Sequence, residues 1–261
     1  MGQLASRPTL SGGPAFDLVA SKLRRPALRP GTVRRSSLID RLAQGDPCPV
    51  VSVVAPAGYG KTTLLSQWAE RNRQAFAWVS VDEGDNDAKV LLTYVAQALD
   101  AVEPVGRRVF DALASPASSV PGSVVPRLGS AFASMTTPVV LVLDDVHLLR
   151  NSECRAALSV LADHVPAGSR LALAGRGEPP LRVARLRAEG KIVEIGAKDL
   201  SLDREEASAL LRHADVALGE DEAAELHQRT EGWPAGTSRR CAPAGCAPRA
   251  RSPRSAPVIC R

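Results

Sequence analysis

Aromatic side chains are scarce: four Phe, three Trp and two Tyr make up 3% of the 261 residues. A core built without them must be filled mainly by Val, Leu and Ala. Cysteine is as thin, with five in all; Cys241, Cys246 and Cys260 lie near the C-terminus, leaving Cys48 and Cys154 in the body. No Cys-x-x-Cys pair occurs and the four histidines are scattered, which excludes a disulfide frame and a clustered zinc site. No apolar run reaches the ~20 residues that cross a bilayer, and the N-terminus lacks the apolar middle of a secretory signal. These absences point to a reducing cytoplasm and to no membrane partner.

Charge is unevenly spread. Residues 237–261 hold six Arg and no Asp or Glu, so residues 1–236 carry 27 basic against 28 acidic side chains, a net of −1 beneath the overall +5. The body is neutral. Its remaining basicity sits in Lys22 to Arg35, so an overall argument from charge to nucleic-acid binding fails.

What is present is led by Val50 to Thr63, VVSVVAPAGYGKTT. Val50 to Val54 has the β-branched density of a strand buried on both faces, and it runs into a glycine-rich turn. Such a turn followed by a helix is a phosphate cradle, because successive N–H groups and the helix dipole all face an anion. The usual spacing is G-x-x-x-x-G-K-[ST]. Here Ala55 stands at the first glycine position, the one farthest from the phosphates, while Gly58 and Gly60 stand where backbone approach leaves least room. Ala57, Gly58, Tyr59, Gly60, Lys61, Thr62 and Thr63 are therefore the expected nucleotide-binding residues. Lys61 supplies a mobile charge for the β- and γ-phosphates, and the Thr62 hydroxyl is a ligand for Mg²⁺.

A second strand, Pro138 to Leu143, runs directly into Asp144-Asp145. An acid at the carboxyl end of a buried strand beside the phosphate-loop strand is where nucleotide-bound magnesium is held. Asp144 is assigned to the metal and Asp145 to orienting or activating the attacking water. Arg176 follows another strand, Arg170 to Ala174, where a guanidinium can reach a γ-phosphate. His147 reads as a packed or exposed loop residue.

Further strands are expected at Ala75–Val81 and Lys191–Ile195, with helices at 38–44, 62–72, 88–100, 121–135 and 152–164. Strands alternating with helices imply an α/β fold, a central parallel sheet flanked by helices with ligands at the strands' carboxyl ends. Residues 1–17 are expected to be disordered, and Leu18 to Pro30 to run extended over a surface. Residues 18–199 are the P-loop nucleotide-binding domain. From 200 to 236 only helical periods occur, at 203–214 and 220–230, with Gly232-Trp233-Pro234 opening a third; this is the start of an incomplete small helical domain. Residues 237–261 have no apolar period, four prolines and no acid, the mixture that a GC-rich gene yields when read in a shifted frame.

The blocks KLRRP, V-x-R, APAGYGKTTLLSQW, WVSVDEGDND, VVLVLDDVHLL, GRGEPPLRVARLRAEG, EIGAKDLSLDREEA and TEGWPAG occur in this order. That succession, over about 18–236, resembles the nucleotide-binding module of the MalT-like, LuxR-type ATP-binding transcriptional regulators of the STAND group. The resemblance implies a switch that binds ATP or ADP with Mg²⁺ and hydrolyses slowly. It places Arg35 near the base or ribose, makes Arg176 the γ-phosphate sensor, and brings Pro234 to adenine. It gives no physical role to Asp82 and Asp85. Such regulators continue into a sensor and a helix-turn-helix, and neither is found here. The chain is thus expected to be a fragment without sequence-specific DNA binding, with nucleotide-dependent self-association as a partner expectation. The alternative is a free-standing P-loop ATPase or small-molecule kinase, with Arg182 to Arg187 as its lid.

Overall fold

The computed structural model describes residues 16–44, 48–213, 225 and 228–236. The expected disorder of 1–15, the tail at 237–261 and most of the helix expected at 220–230 lie outside the described residues. The chain divides into two compact units, residues 1–201 and 202–261.

The first unit is built on a five-stranded sheet: β1 (Val50–Val54), β2 (Ala75–Ser80), β3 (Val139–Asp144), β4 (Arg170–Gly175) and β5 (Ile192–Ile195). Its spatial order is β2-β3-β4-β1-β5, and all its pairings are parallel. The strands' Val- and Leu-rich runs are what a sheet covered on both faces requires. One correction concerns the neighbour of β1: the Asp144 strand does not lie beside it, because β4 is inserted between them.

Two apolar layers cover the sheet. On one face α1 (Ser36–Gln44) and α2 (Lys61–Arg71) bury Leu38, Ile39, Leu42, Leu64, Leu65 and Trp68 against Val51, Val53, Val140, Val142, Ala172 and Ala174. On the other, α3 (Ala88–Asp100), α4 (Arg107–Ala114), α5 (Val125–Ala133) and α6 (Ser152–Asp163) pack on Leu141, Leu143, Leu171 and Leu173. The period-2 alternation of each strand feeds both layers. The helix expected over 121–135 begins instead as a π-helical turn, Val120–Val124. Pro126 has no N–H to give and crowds the carbonyl four residues back, so the chain enters α5 through a wider turn, with Val124 N donating to Ser119 O at 3.2 Å.

After β4 comes α7 (Val183–Ala188), over the stretch named above as a kinase lid, and after β5 the short α8 (Ala197–Leu200). Arg185 and Arg187 are ion-paired to Glu189 and Glu194 at 2.7 Å each, while Val183 and Leu186 are buried. The segment is thus a short helix with an apolar side facing inward and two of its arginines held in surface ion pairs.

The N-terminal segment departs most from expectation. Residues 18–30 do not simply run extended: Ala20–Leu23 form a 3-10 turn that buries Lys22. Its ammonium donates to Asp85 Oδ1 at 2.5 Å, pairs with Asp82 Oδ2 at 3.0 Å and lies 4.4 Å from the centre of the Tyr94 ring. Val19 N donates to the Tyr94 hydroxyl at 3.1 Å, and Phe16 rests on the same ring. Asp82 and Asp85 thus acquire a physical role. They cap the Glu83–Asp85 turn and hold the strap's buried cation.

The second unit contains α9 (Arg204–His213), opened by a reciprocal cap in which Glu206 N donates to Asp203 Oδ1 and Asp203 N to Glu206 Oε2. Residues 228–230 and 234–236 are helical, so the turn opened by Pro234 does form as far as it is described. Leu202 N donates to Gly232 O at 2.9 Å within this unit. A Cβ at Gly236 would stand 2.4 Å from the Trp233 ring, so a glycine is required there. Among the described residues no helix is long and apolar enough to cross a membrane.

The strap supplies a stability test. Lys22→Met leaves the buried Asp85 without its cation and is expected to cost about 3 kcal/mol in urea unfolding. Lys22→Met with Asp85→Leu is expected to recover most of that loss. Equal stability of the single variant and the parent would show that the pair is not what anchors the strap.

Candidate nucleotide site

The carboxyl end of β1 turns at Ala55 and enters α2 through Gly58 and Gly60, at φ +82° and +81°. That left-handed region strains any residue with a Cβ, and the two glycines bend the loop into a ring of main-chain N–H groups. Gly60 is the residue before α2, so the helix's unpaired amides open onto the same space. Ala57 and Gly58 are exposed, while Tyr59 and Thr63 are half-buried, Tyr59 against the α1/α2 layer.

Lys61 curls back over the loop, its Nζ donating to Ala55 O at 2.9 Å and Pro56 O at 3.1 Å. Burial lowers its pKa, and the Arg176 charge adds to that, while Asp145 and Asp144 act the other way. At the neighbouring position, Thr62 Oγ1 donates to Asp144 Oδ2 at 2.6 Å. This single bond joins the start of α2 to the end of β3, across the end of β4.

Asp144 is 4% exposed. Burial raises its pKa and the Asp145 charge adds to the rise; the Thr62 hydroxyl, the Asp145 amide and Lys61 oppose it. A hydroxyl and a carboxylate in contact, both hard oxygen donors, suit a Mg²⁺ completed by phosphates and water. Asp145 N donates to Asp144 Oδ1 at 3.0 Å, fixing the carboxylate from its second oxygen. Asp145 itself sits at φ +62°, an uncommon place for a residue with a side chain and one that concentrates at functional sites. Its carboxylate is half-exposed and lies 3.6 Å from His147 Nδ1.

Arg176, exposed just past β4, is close enough to act electrostatically on both Lys61 and His147. The structure therefore brings Lys61, Thr62, Asp144, Asp145 and Arg176 to one edge of the sheet. It adds His147, which sequence reasoning had set aside.

Arg35 is placed differently. Its side chain is buried, and its guanidinium donates to the carbonyls of Leu200 (2.8 Å), Asp199 (2.7 Å) and Ser201 (3.1 Å). These contacts make Arg35 a clamp on the end of α8, whose terminal carbonyls attract a cation. Pro234 belongs to the second unit, where it opens the 234–236 turn.

Two substitutions separate site from scaffold. Because Asp144 has a raised pKa, its ionised form costs stability above that value, and the cost is relieved as pH falls through it. Asp144→Asn is accordingly expected to leave the thermal midpoint unchanged or raise it by about 2–4 °C, while a rise in midpoint on adding ATP and Mg²⁺ disappears. Arg35→Ala, by contrast, is expected to lower the midpoint of the ligand-free protein, with a loss on the order of 2–4 kcal/mol; an unchanged midpoint would return Arg35 to a ligand-binding role.

The chain matches the AAA ATPase domain family over residues 36–174, just over half its length. The HTH-type transcriptional regulator MalT of Vibrio campbellii is 32% identical over 227 residues, which cover 83% of this chain and 24% of that protein. MalT of Klebsiella pneumoniae subsp. pneumoniae is 30% identical over 218 residues, with the same coverage of 83% and 24%. The chain thus spans about a quarter of the length of these curated relatives. Among solved structures, the Aeropyrum pernix ORC1 protein in complex with DNA aligns with a TM-score of 0.45 at 16% identity, covering 82% of this chain and 59% of that one. The glycine cradle, the Thr62–Asp144 bond and the matched span place this chain in the AAA ATPase domain family, as a MalT-like P-loop NTPase module.

Proposed function

We propose that this module is an adenine-nucleotide switch: it binds ATP or ADP with Mg²⁺ in the cradle at the end of β1 and hydrolyses ATP slowly. The observation that carries this reading is the bond from Thr62 Oγ1 to Asp144 Oδ2 beside Lys61. It holds a magnesium-type oxygen pair and a phosphate-type cation at one helix N-terminus.

In this reading Ala57 to Thr63 hold the phosphates, Lys61 leaves its own loop carbonyls for the β- and γ-phosphates, and Thr62 and Asp144 hold the metal. Magnesium supplies charge neutralisation of the phosphates when bound. Asp145 orients the attacking water and accepts its proton as the bond from the γ-phosphorus to the bridging oxygen breaks. Arg176 reports whether the γ-phosphate is present. Pro234 is carried as an adenine contact on the family resemblance alone. A role in regulation is an expectation from the MalT-like relatives; a cytoplasmic location and nucleotide-dependent self-association are carried as expectations from the sequence.

The kinase alternative loses support, because two of the three arginines of its candidate lid, Arg185 and Arg187, are ion-paired to Glu189 and Glu194. Calorimetry with purified protein, Mg²⁺ and either adenine nucleotide tests the proposal. Micromolar binding is expected, falling at least about a hundredfold on Lys61→Ala, a loss of roughly 2.7 kcal/mol. Turnover is expected far below the ~1 per second or more of ordinary enzymes. No heat from ATP or ADP would overturn the reading.

A further inference from the structure

The turn that carries Asp145 is held tightly, yet the carboxylate it carries is not. Leu148 N and Leu149 N bond back to Asp145 O and Val146 O, closing the Val146–Leu148 turn. The turn rests on the end of β4 with little clearance: a Cβ at Gly175 would stand 3.4 Å from His147 N and from Val146 Cγ2. The Asp145 main chain is thus fixed, while its side chain is 47% exposed and can swing.

His147 faces that side chain. Its Nδ1 is buried and has no hydrogen-bond partner, although most buried polar atoms find one. An acceptor of the right chemistry, Asp145 Oδ1, lies 3.6 Å away, about one small side-chain rotation beyond hydrogen-bond length.

We propose that His147 is a positioning residue for ATP hydrolysis, its Nδ1–H taking up the carboxylate of Asp145 and aiming it at the attacking water. The inference rests on the reading of Asp145 given above and deepens it. Three charged groups face the imidazole: Asp145 from its own turn, Arg176 from the end of β4 and Lys61 from the phosphate loop. Burial, the largest influence, and the two cations lower the His147 pKa, so the ring is neutral near pH 7. A neutral ring suits the task. It donates one hydrogen bond that orients Asp145, whereas an imidazolium would hold the carboxylate as an ion pair and weaken it as a base. The proton is thereby assigned to Nδ1, the nitrogen on the carboxylate side.

The test measures ATP affinity by calorimetry and single-turnover hydrolysis with protein in excess over ATP. It uses the full chain, His147→Ala, His147→Asn, Asp145→Asn and the double variant His147→Ala/Asp145→Asn. His147→Ala is expected to slow hydrolysis about 10- to 100-fold, as loss of a supporting hydrogen bond does around reactive groups, with the dissociation constant for ATP within about twofold. His147→Asn, whose amide can donate to the same carboxylate, is expected to regain part of the rate. On the Asp145→Asn background, His147→Ala is expected to have no further effect. If His147→Ala hydrolyses at the parent rate, weakens ATP binding as much as turnover, or slows the Asp145→Asn variant further, the assignment is wrong. The wider reading fails separately. Absence of ATP binding by the parent sinks the nucleotide site, and an unchanged rate for Asp145→Asn sinks the role of Asp145. A slow Asp145→Asn beside a parent-like His147→Ala sinks only the inference about His147. Matching thermal midpoints establish that the variants are folded.

Discussion

The geometry of the site depends on one hydrogen bond reaching over a strand. Thr62 belongs to the helix after β1 and Asp144 to the end of β3, and β4 lies between those strands. Adjacent strands are about 4.8 Å apart, so the two residues approach only if α2 leans across the end of β4. β4 permits this by its sequence: Ala172 and Ala174 face α2, whereas Leu171 and Leu173 face the opposite helical layer. The Ala55 N to Gly175 O bond of 3.2 Å then ties the phosphate loop to the end of the same strand. Small residues on one face and large ones on the other set the height of α2, and that height sets the reach of Thr62.

The same crowded edge explains why its groups are perturbed. Asp144 and Lys61 are both buried, and in each, loss of water is the largest influence against the charged form. Asp145 occupies a backbone region with a steric cost of order 1 kcal/mol or more, and His147 Nδ1 is left without a partner. These costs converge on a few residues, while the two apolar layers and the ladders of the sheet are regular. A polyanion carrying a divalent cation would relieve several of them together, since it supplies charges that Lys61 and Asp144 now lack in bulk.

How much of this was legible follows from the range of each interaction. The P-loop, its helix and the VVLVLDD strand are written in consecutive residues, and β-branched runs with glycine spacing are local signals. The strand order is not local: the strand at Arg170 is legible in the sequence, but its place between β1 and β3 is not, because pairing partners leave no mark on their neighbours in sequence. Lys22 looked like one more solvated cation, yet its partner lies 63 residues away. Arg35 finds its carbonyls 164 to 166 residues away. α7 was hidden by its arginines, since its apolar contribution is only Val183 and Leu186. For His147 a signal did exist. It sits two residues after Asp145 in a turn too short to carry it far from the carboxylate, and that proximity was discounted.

The basic segment that opens the described chain shows how composition misleads when partners are ignored. Lys22 is spent on Asp85 and Asp82, Arg25 on Ser66 O at 3.0 Å, and Arg35 on the end of α8. Gln67, the residue after Ser66 in the middle of α2, completes the attachment. Its Oε1 accepts from Arg35 N at 2.9 Å and its Nε2 donates to Val33 O at 2.7 Å, so one side-chain amide pairs with the extended backbone as a neighbouring strand would. The segment is thereby laid along the very helix whose first residues are Lys61 and Thr62. Tying a helix at its middle leaves its N-terminal amides aimed in one direction, and a cradle that need not be ordered by its ligand spends less of its binding energy on ordering. The charges that resemble a nucleic-acid surface are, in this fold, part of what keeps the phosphate site in place.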